Sequence, residues 1–242
     1  MSLAASLHAY DFSQHPAGGL RLALPGAEVV CRPAGALWLA AARALIVADL
    51  HLEKGSSYAG RGQLLPPYDT RETLNRLEAE VAVLTPDVLV FLGDSFHDGD
   101  GEARLTAEDA ARVAALASGR TLIWVVGNHD AEGPRHLPGE VVAGLALPGL
   151  TLVHEPAPLA ATGEVAGHLH PCARVKGRSG SVRRRCFVTD GERLILPAFG
   201  AYAGGLNIRD PAFTLLMRRR PLAAVLGAGR VHPVGWDALR GD

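Results

Sequence analysis

Five apolar runs in this chain each end at side chains of the kind that ligate metal ions. ALIV at 44–47 leads into Asp49-Leu50-His51, and VLVFL at 88–92 into Gly93-Asp94. TLIWVV at 121–126 leads into Gly127-Asn128-His129-Asp130, LTLV at 150–153 into His154, and EVA at 164–166 into Gly167-His168-Leu169-His170. The first four have the length and branching of buried strands.

The segments between them predict the architecture. Between the first two runs, Asp69 and Glu72 have capping-box spacing, and Leu74, Leu77, Val81 and Leu84 follow at helical intervals. Between the next two, Thr106 and Asp109 open a second helix and Gly119 closes it. Strand, helix, strand, helix, strand implies a parallel or mixed sheet covered by helices. The stretch from Arg174 to Phe199 alternates like strands around an Asp190-Gly191 hairpin turn, which adds a second, more antiparallel sheet. Without repeats or a linker, residues 1–242 read as a single α/β domain.

Carboxyl ends of neighbouring strands in an α/β sheet share one edge, where ligands bind. That edge would gather two aspartates, an asparagine amide and several imidazoles. Hard oxygen plus imidazole nitrogen suits divalent manganese, iron or zinc, and the lack of thiolate argues against a structural zinc site. With locally extended backbone, Asp49 and His51 point the same way, as do His168 and His170. Seven donors exceed what one tetrahedral ion takes, and suggest two ions with a bridging carboxylate. Such pairs, roughly 3.5–4 Å apart, serve phosphoryl hydrolysis. Singly, each motif also fits a turn, a helix cap or a packed histidine; five in succession, all at strand ends, do not.

The bulk numbers fit this. A formal charge of −1 advertises neither nucleic acid nor membrane. Cys31, Cys172 and Cys186, without a CxxC pair, read as reduced thiols. The start lacks the charged opening of a signal peptide, no apolar stretch is long enough to span a bilayer, and the expected location is cytoplasmic. No GxxxxGK[ST] is present, which argues against ATP-driven activity. Trp38 and Trp124 are core candidates.

The order DxH, GD, GNHD, H, GHxH resembles the calcineurin-like metallophosphoesterase family over roughly 44–170. The resemblance implies a metallophosphoesterase sandwich of two mixed β-sheets flanked by α-helices. It implies that Asp49, His51 and His170 hold one ion, that Asn128, His154 and His168 hold the other, and that Asp94 bridges. His129 would protonate the leaving oxygen, and Asp130 would hold backbone. Phosphoprotein phosphatases of the superfamily carry GDxVDRG and an arginine before GNHE; GDSFHD and VVGNHD carry neither. A monoester dianion benefits from guanidinium clamps, a diester less so, which favours diesters unless Arg61 fills the gap. GDSFH is similar to the GDxFH of SbcD-type repair nucleases, which implies that His97 positions the diester.

ADLHLEKGSSYA at 48–59 and LPAFGAYAGGLNI at 196–208 resemble the ligase-associated DNA-damage-response endonuclease (PdeM) family. That implies a DNA endonuclease acting in DNA repair with two divalent ions, manganese foremost, and a DNA ligase, helicase and exonuclease as partners. The basic residues Arg174, Lys176, Arg178, Arg183, Arg184 and Arg185 either track a phosphate backbone or form a solvated hairpin that protects a sheet edge. The alternatives are a small-molecule phosphodiesterase, for a cyclic nucleotide or a nucleotide pyrophosphate, and a non-catalytic scaffold. The intact donor set argues for catalysis.

Overall fold

The computed structural model describes residues 9–158, 162–177 and 180–242. Two large mixed sheets face each other. The first runs from Phe12–Gln14 through Leu20–Leu24, Ala27–Cys31 and Leu37–Leu39, all antiparallel, to the parallel strands Ala44–Ala48, Val88–Leu92, Thr121–Val125 and Glu140–Val142. The second places Leu150–Val153, Glu164–Ala166 and Arg193–Ile195 in parallel and adds the antiparallel strands Pro171–Gly177, Gly180–Thr189, Leu222–Leu226 and Val231–Gly235.

The apolar runs are continuous because both faces of these strands are buried. Ile46, Val90 and Val125 pack against Leu152, Val165, Phe187 and Leu194 of the second sheet. Their alternates Leu45, Phe91 and Trp124 pack under the helices through Leu74, Leu77, Val113 and Leu116. Phe91 and Trp124 meet edge to face at 4.6 Å. A third cluster, including Val188, Ile195, Phe213 and Met217, covers the outer face of the second sheet. Trp38 is partly buried on the helix side, and all three cysteines are buried and free.

The helices span Asp69–Leu84 and Ala107–Leu116. Thr106 caps the second as expected, accepting the Asp109 amide at 3.0 Å, and Gly119 takes a left-handed φ of 72° just beyond it. The first departs from its predicted capping box. Tyr68 stands at the cap without a side-chain bond, and the buried Asp69 carboxylate instead accepts the Gly55 amide at 2.9 Å. It thereby satisfies an orphan donor in the first turn of the neighbouring helix Lys54–Gly60. The Asp190-Gly191 turn is present, closed by Asp190 Oδ1 on the amides of Glu192 and Arg193 at 3.0 Å each. Among the described residues no helix is long and apolar enough to cross a membrane.

Candidate metal centre

Register sets the edge. Ala48 pairs with Leu92, Leu92 with Val125, and in the other sheet Val153 pairs with Ala166. A parallel bridge from Ala48 to Ala198 joins the sheets at the same level. The motifs therefore leave their strands side by side. The chain then bends sharply. Asp49, His51, Asp94, His168 and His170 all have φ between 45° and 69°, a region that costs a non-glycine residue free energy and clusters at functional sites. The DxH and HxH pairs are thus not extended; Asp49 and His51 still meet in one donor group, whereas His168 and His170, expected to point the same way, part into two. Two glycines make room: a Cβ on Gly93 would lie 2.1 Å from His154 Nδ1, and one on Gly127 2.2 Å from Asp94 Oδ1.

Seven side chains fall into two groups. In the first, His51 Nε2 lies 3.1 Å from His170 Nε2, which lies 3.4 Å from Asp49 Oδ1. In the second, Asn128 Oδ1 lies 3.0 Å from His154 Nε2 and 2.8 Å from His168 Nδ1, and the two imidazole nitrogens are 3.2 Å apart. Asp94 stands between, with Oδ1 3.4 Å from His154 Nε2 and Oδ2 3.8 Å from His51 Nε2. Donors bound at about 2.0–2.2 Å to one ion stand roughly 2.9–3.6 Å from one another, so each group fits one cation. The tautomer of His154 reinforces this. Its Nδ1 faces the Leu92 carbonyl at 3.3 Å and must donate, so Nε2 turns a lone pair towards the oxygens of Asn128 and Asp94. A cation among these lone pairs turns repulsion into ligation.

The surrounding backbone holds the donors. The His168 amide donates to both Asp49 oxygens, at 3.1 and 3.0 Å, and the His129 amide to Asp94 Oδ1 at 2.9 Å. Asp130 accepts from the amides of Ser95, Phe96 and Gly127 at 2.8–3.1 Å, which fixes the loop after Asp94. Burial pushes its carboxyl up to about 6, with the Phe96 amide opposing and the Asp94 charge adding to the rise. Burial, then the neighbouring His170, holds His51 down at about 2, so it stays a neutral donor.

His129 and His97 stand together beside the first group. His129 Nδ1 donates to the His97 carbonyl at 2.8 Å, the rings stack at 5.4 Å, and His129 Nε2 faces Asp94 Oδ2 at 3.9 Å. Burial and the Lys54 charge lower the His97 imidazole. Motif reading missed Lys54 and Tyr58. Tyr58 lies 5.6 Å from the His97 ring, with the Lys54 ammonium 5.8 Å from the Tyr58 centroid. Their signal is the four-residue spacing inside the short helix that follows Asp49-Leu50-His51. Arg61 is exposed at the end of that helix and adds positive charge felt by His97.

The basic hairpin begins directly after His170 but runs away from it. Arg174 pairs across strands with Arg183, and Cys172 with Arg185. At about 3.3 Å per residue, Arg174 sits roughly 13 Å along the strand from His170 and Lys176 roughly 20 Å. Arg174 bonds Ser181, and Lys176, Arg183 and Arg184 are exposed, with Arg183 paired to Asp242. Arg185 is a different case. Its guanidinium turns inward onto the carbonyls of Ala198, Ala201 and Ala203 at 3.0–3.1 Å, because the loop after Pro197 leaves those oxygens without other partners among the described bonds. It braces that loop and is not free for a phosphate. Arg178 lies outside the described residues.

Residues 42–196 match the model of the calcineurin-like phosphoesterase family. The crystal structure of Pseudomonas putida nuclease MPE is similar, at 30% identity over 93% of this chain and 100% of that one, with a TM-score of 0.68. Yfce, a phosphoesterase from E. coli, is 16% identical over 79% of this chain and 98% of its own, with a TM-score of 0.39. No curated protein sequence matches the chain.

Proposed function

The chain belongs to the calcineurin-like phosphoesterase family and is a metal-dependent phosphoesterase, and from that premise we propose that it hydrolyses phosphodiesters at two divalent ions, with DNA as substrate. The observation that carries the dinuclear reading is the split of donors into two groups with one Asp94 oxygen turned to each. Asp49, His51 and His170 would hold one ion and Asn128, His154 and His168 the other. Oxygen and imidazole donors suit manganese, with iron or zinc as substitutes. When bound, such a pair supplies an activated water and a Lewis-acid clamp on phosphate oxygens.

The chain's own groups do the rest. The His97 carbonyl fixes the His129 ring, so that in the protonated ring Nε2 carries the proton for the leaving oxygen. The His97 ring, with Tyr58 and Lys54 behind it, forms the wall where the diester would be positioned. No arginine contributes to the two donor groups, which supports diester over monoester. The cavity of about 340 Å³ beyond His129 is lined by Asp98, Asp100, Glu102 and Glu132, with a single arginine, Arg135, paired to Glu132. A polyanion would therefore pass over the Lys54 and Arg61 rim instead. The nuclease likeness supports nucleic acid as the diester. The partners in this proposal are those that the family resemblance implies: a DNA ligase, a helicase and an exonuclease.

The test loads the purified protein with Mn²⁺ and compares bis(p-nitrophenyl) phosphate with p-nitrophenyl phosphate, alongside single- and double-stranded DNA. Diester preference, DNA cleavage and abolition by EDTA are expected. Preference for the monoester overturns the diester reading, and turnover of small diesters without DNA cleavage overturns the DNA assignment.

A further inference from the structure

An apolar pocket opens directly off the second donor group. Pro156, Pro158, Leu169, Leu215 and Leu216 line it together with His168 of that group, around a volume of about 410 Å³. This is within the size range of small-ligand sites. Leu215, one of the lining residues, is 80% exposed. With Leu216, Leu169, Pro156 and Pro158 it forms a contiguous apolar lining beside the candidate metal centre, rather than a lone surface leucine.

The pocket and the proton donor mark opposite ends of the donor array. His129 packs on His51 and His97, whereas His168 packs on His154. A diester seated with its leaving oxygen at His129 therefore directs its retained ester group towards His168. Among the described lining residues there is no Lys or Arg, so a further phosphate has no partner there. Glu155, the single charged side chain among the lining residues, offers an acceptor for an N–H group. A flat, largely apolar ring with edge N–H donors meets all three conditions.

We infer that this pocket binds the nucleobase of the nucleotide retained after cleavage. The inference rests on the phosphodiesterase reading above. It also selects the form of the nucleic acid: a base held there is out of its stack, which costs least in a single strand or frayed end and more in an intact duplex.

Two esters with the same leaving group test it. In thymidine 5′-(p-nitrophenyl phosphate) and methyl p-nitrophenyl phosphate, the P–O bond to p-nitrophenolate breaks and one to a water oxygen forms. Only the first retains a base. With Mn²⁺ bound, the thymidine ester is expected to show a kcat/KM higher by about tenfold or more, carried by KM. Leu215→Asp, at an exposed position that the fold tolerates, should bring the ratio of the two close to one. Saturation-transfer NMR of free thymidine with metal-free protein gives a readout independent of turnover, with transfer expected in the wild type and lost in Leu215→Asp. A wild-type ratio near one, a ratio unmoved by the substitution, or no transfer to thymidine overturns the pocket. Thymidine binding without hydrolysis of either ester keeps the pocket and overturns the phosphodiesterase reading instead.

Discussion

His129 is oriented by the backbone of His97: its Nδ1 donates to the His97 carbonyl at 2.8 Å while the two rings stack at 5.4 Å. The hydrogen bond that aims His129 therefore survives loss of the His97 side chain, and the two residues separate by experiment. His129→Ala should lower kcat on DNA and other unactivated diesters by about 10²–10⁴. The loss should be far smaller for p-nitrophenyl esters, whose leaving group departs without a proton. His97→Ala keeps the carbonyl, so its effect should fall on KM. Steady-state kinetics on both substrate types checks this; equal loss of kcat for His129→Ala on both would remove the proton-donor role.

The shared position of Asp94 predicts a metal stoichiometry. Wild-type protein equilibrated with Mn²⁺ and desalted should carry two ions per chain, measured by elemental analysis. His168→Ala touches one group and should leave about one ion. Asp94→Asn weakens both groups, because each carboxylate oxygen faces a different one. Retention of two ions in Asp94→Asn would show that the bridge is absent.

Much of this edge is legible in the chain itself. Runs buried on both faces, such as VLVFL, are bounded by turns, and the donor types follow each boundary in order. The backbone at the donors is not legible. DxH and HxH suggest extended pairs, yet the left-handed φ values of Asp49, His51, His168 and His170 send His168 and His170 to different groups. Nothing local in a histidine announces that conformation; the packing of two sheets at one edge imposes it. The strands Leu20–Leu24 and Ala27–Cys31 are short, pair with each other and with Phe12–Gln14 and Leu37–Leu39, and bury Leu20, Leu22 and Val29 against the second sheet, contacts that no local pattern announces. Arg185 reads as one more basic residue in a run, because the carbonyls that claim it lie 13 to 18 positions away.

Glu102 ties the short helix Gly101–Arg104 to the loop beyond the GNHD motif, accepting the amides of Arg135, His136 and Leu137 at 2.7–2.8 Å. Partial burial alone would raise its carboxyl, but the three amides outweigh it, and the folded value lies below the usual 4.5. For a depressed carboxylate, the stabilisation is present above the unfolded value and disappears as pH falls through the folded one. Glu102→Gln should therefore cost about 1–2 kcal/mol near neutral pH, and the gap should close in acid as pH falls below the usual 4.5 and through the depressed folded value. Urea titrations of both proteins across that range give the answer, and a gap independent of pH would contradict it.

The basic hairpin predicts a salt dependence that distinguishes its two readings. Arg174, Lys176 and Arg183 lie on one face, since Arg174 pairs with Arg183 and Lys176 with Ser181, and Arg184 lies on the other. A backbone tracked along the first face loses up to three phosphate contacts when all three are changed to alanine. The slope of log K against log salt for DNA should then fall by about 2–3. Arg184→Ala alone should change it less. Arg185→Ala leaves three carbonyls unpaired and should instead cost about 2–3 kcal/mol of stability. Its salt slope stays at the wild-type value because its guanidinium never reaches the solvent phosphate. If the triple variant keeps the wild-type affinity and slope, the hairpin is a solvated sheet edge, and DNA must reach the donor groups over the Lys54 rim alone.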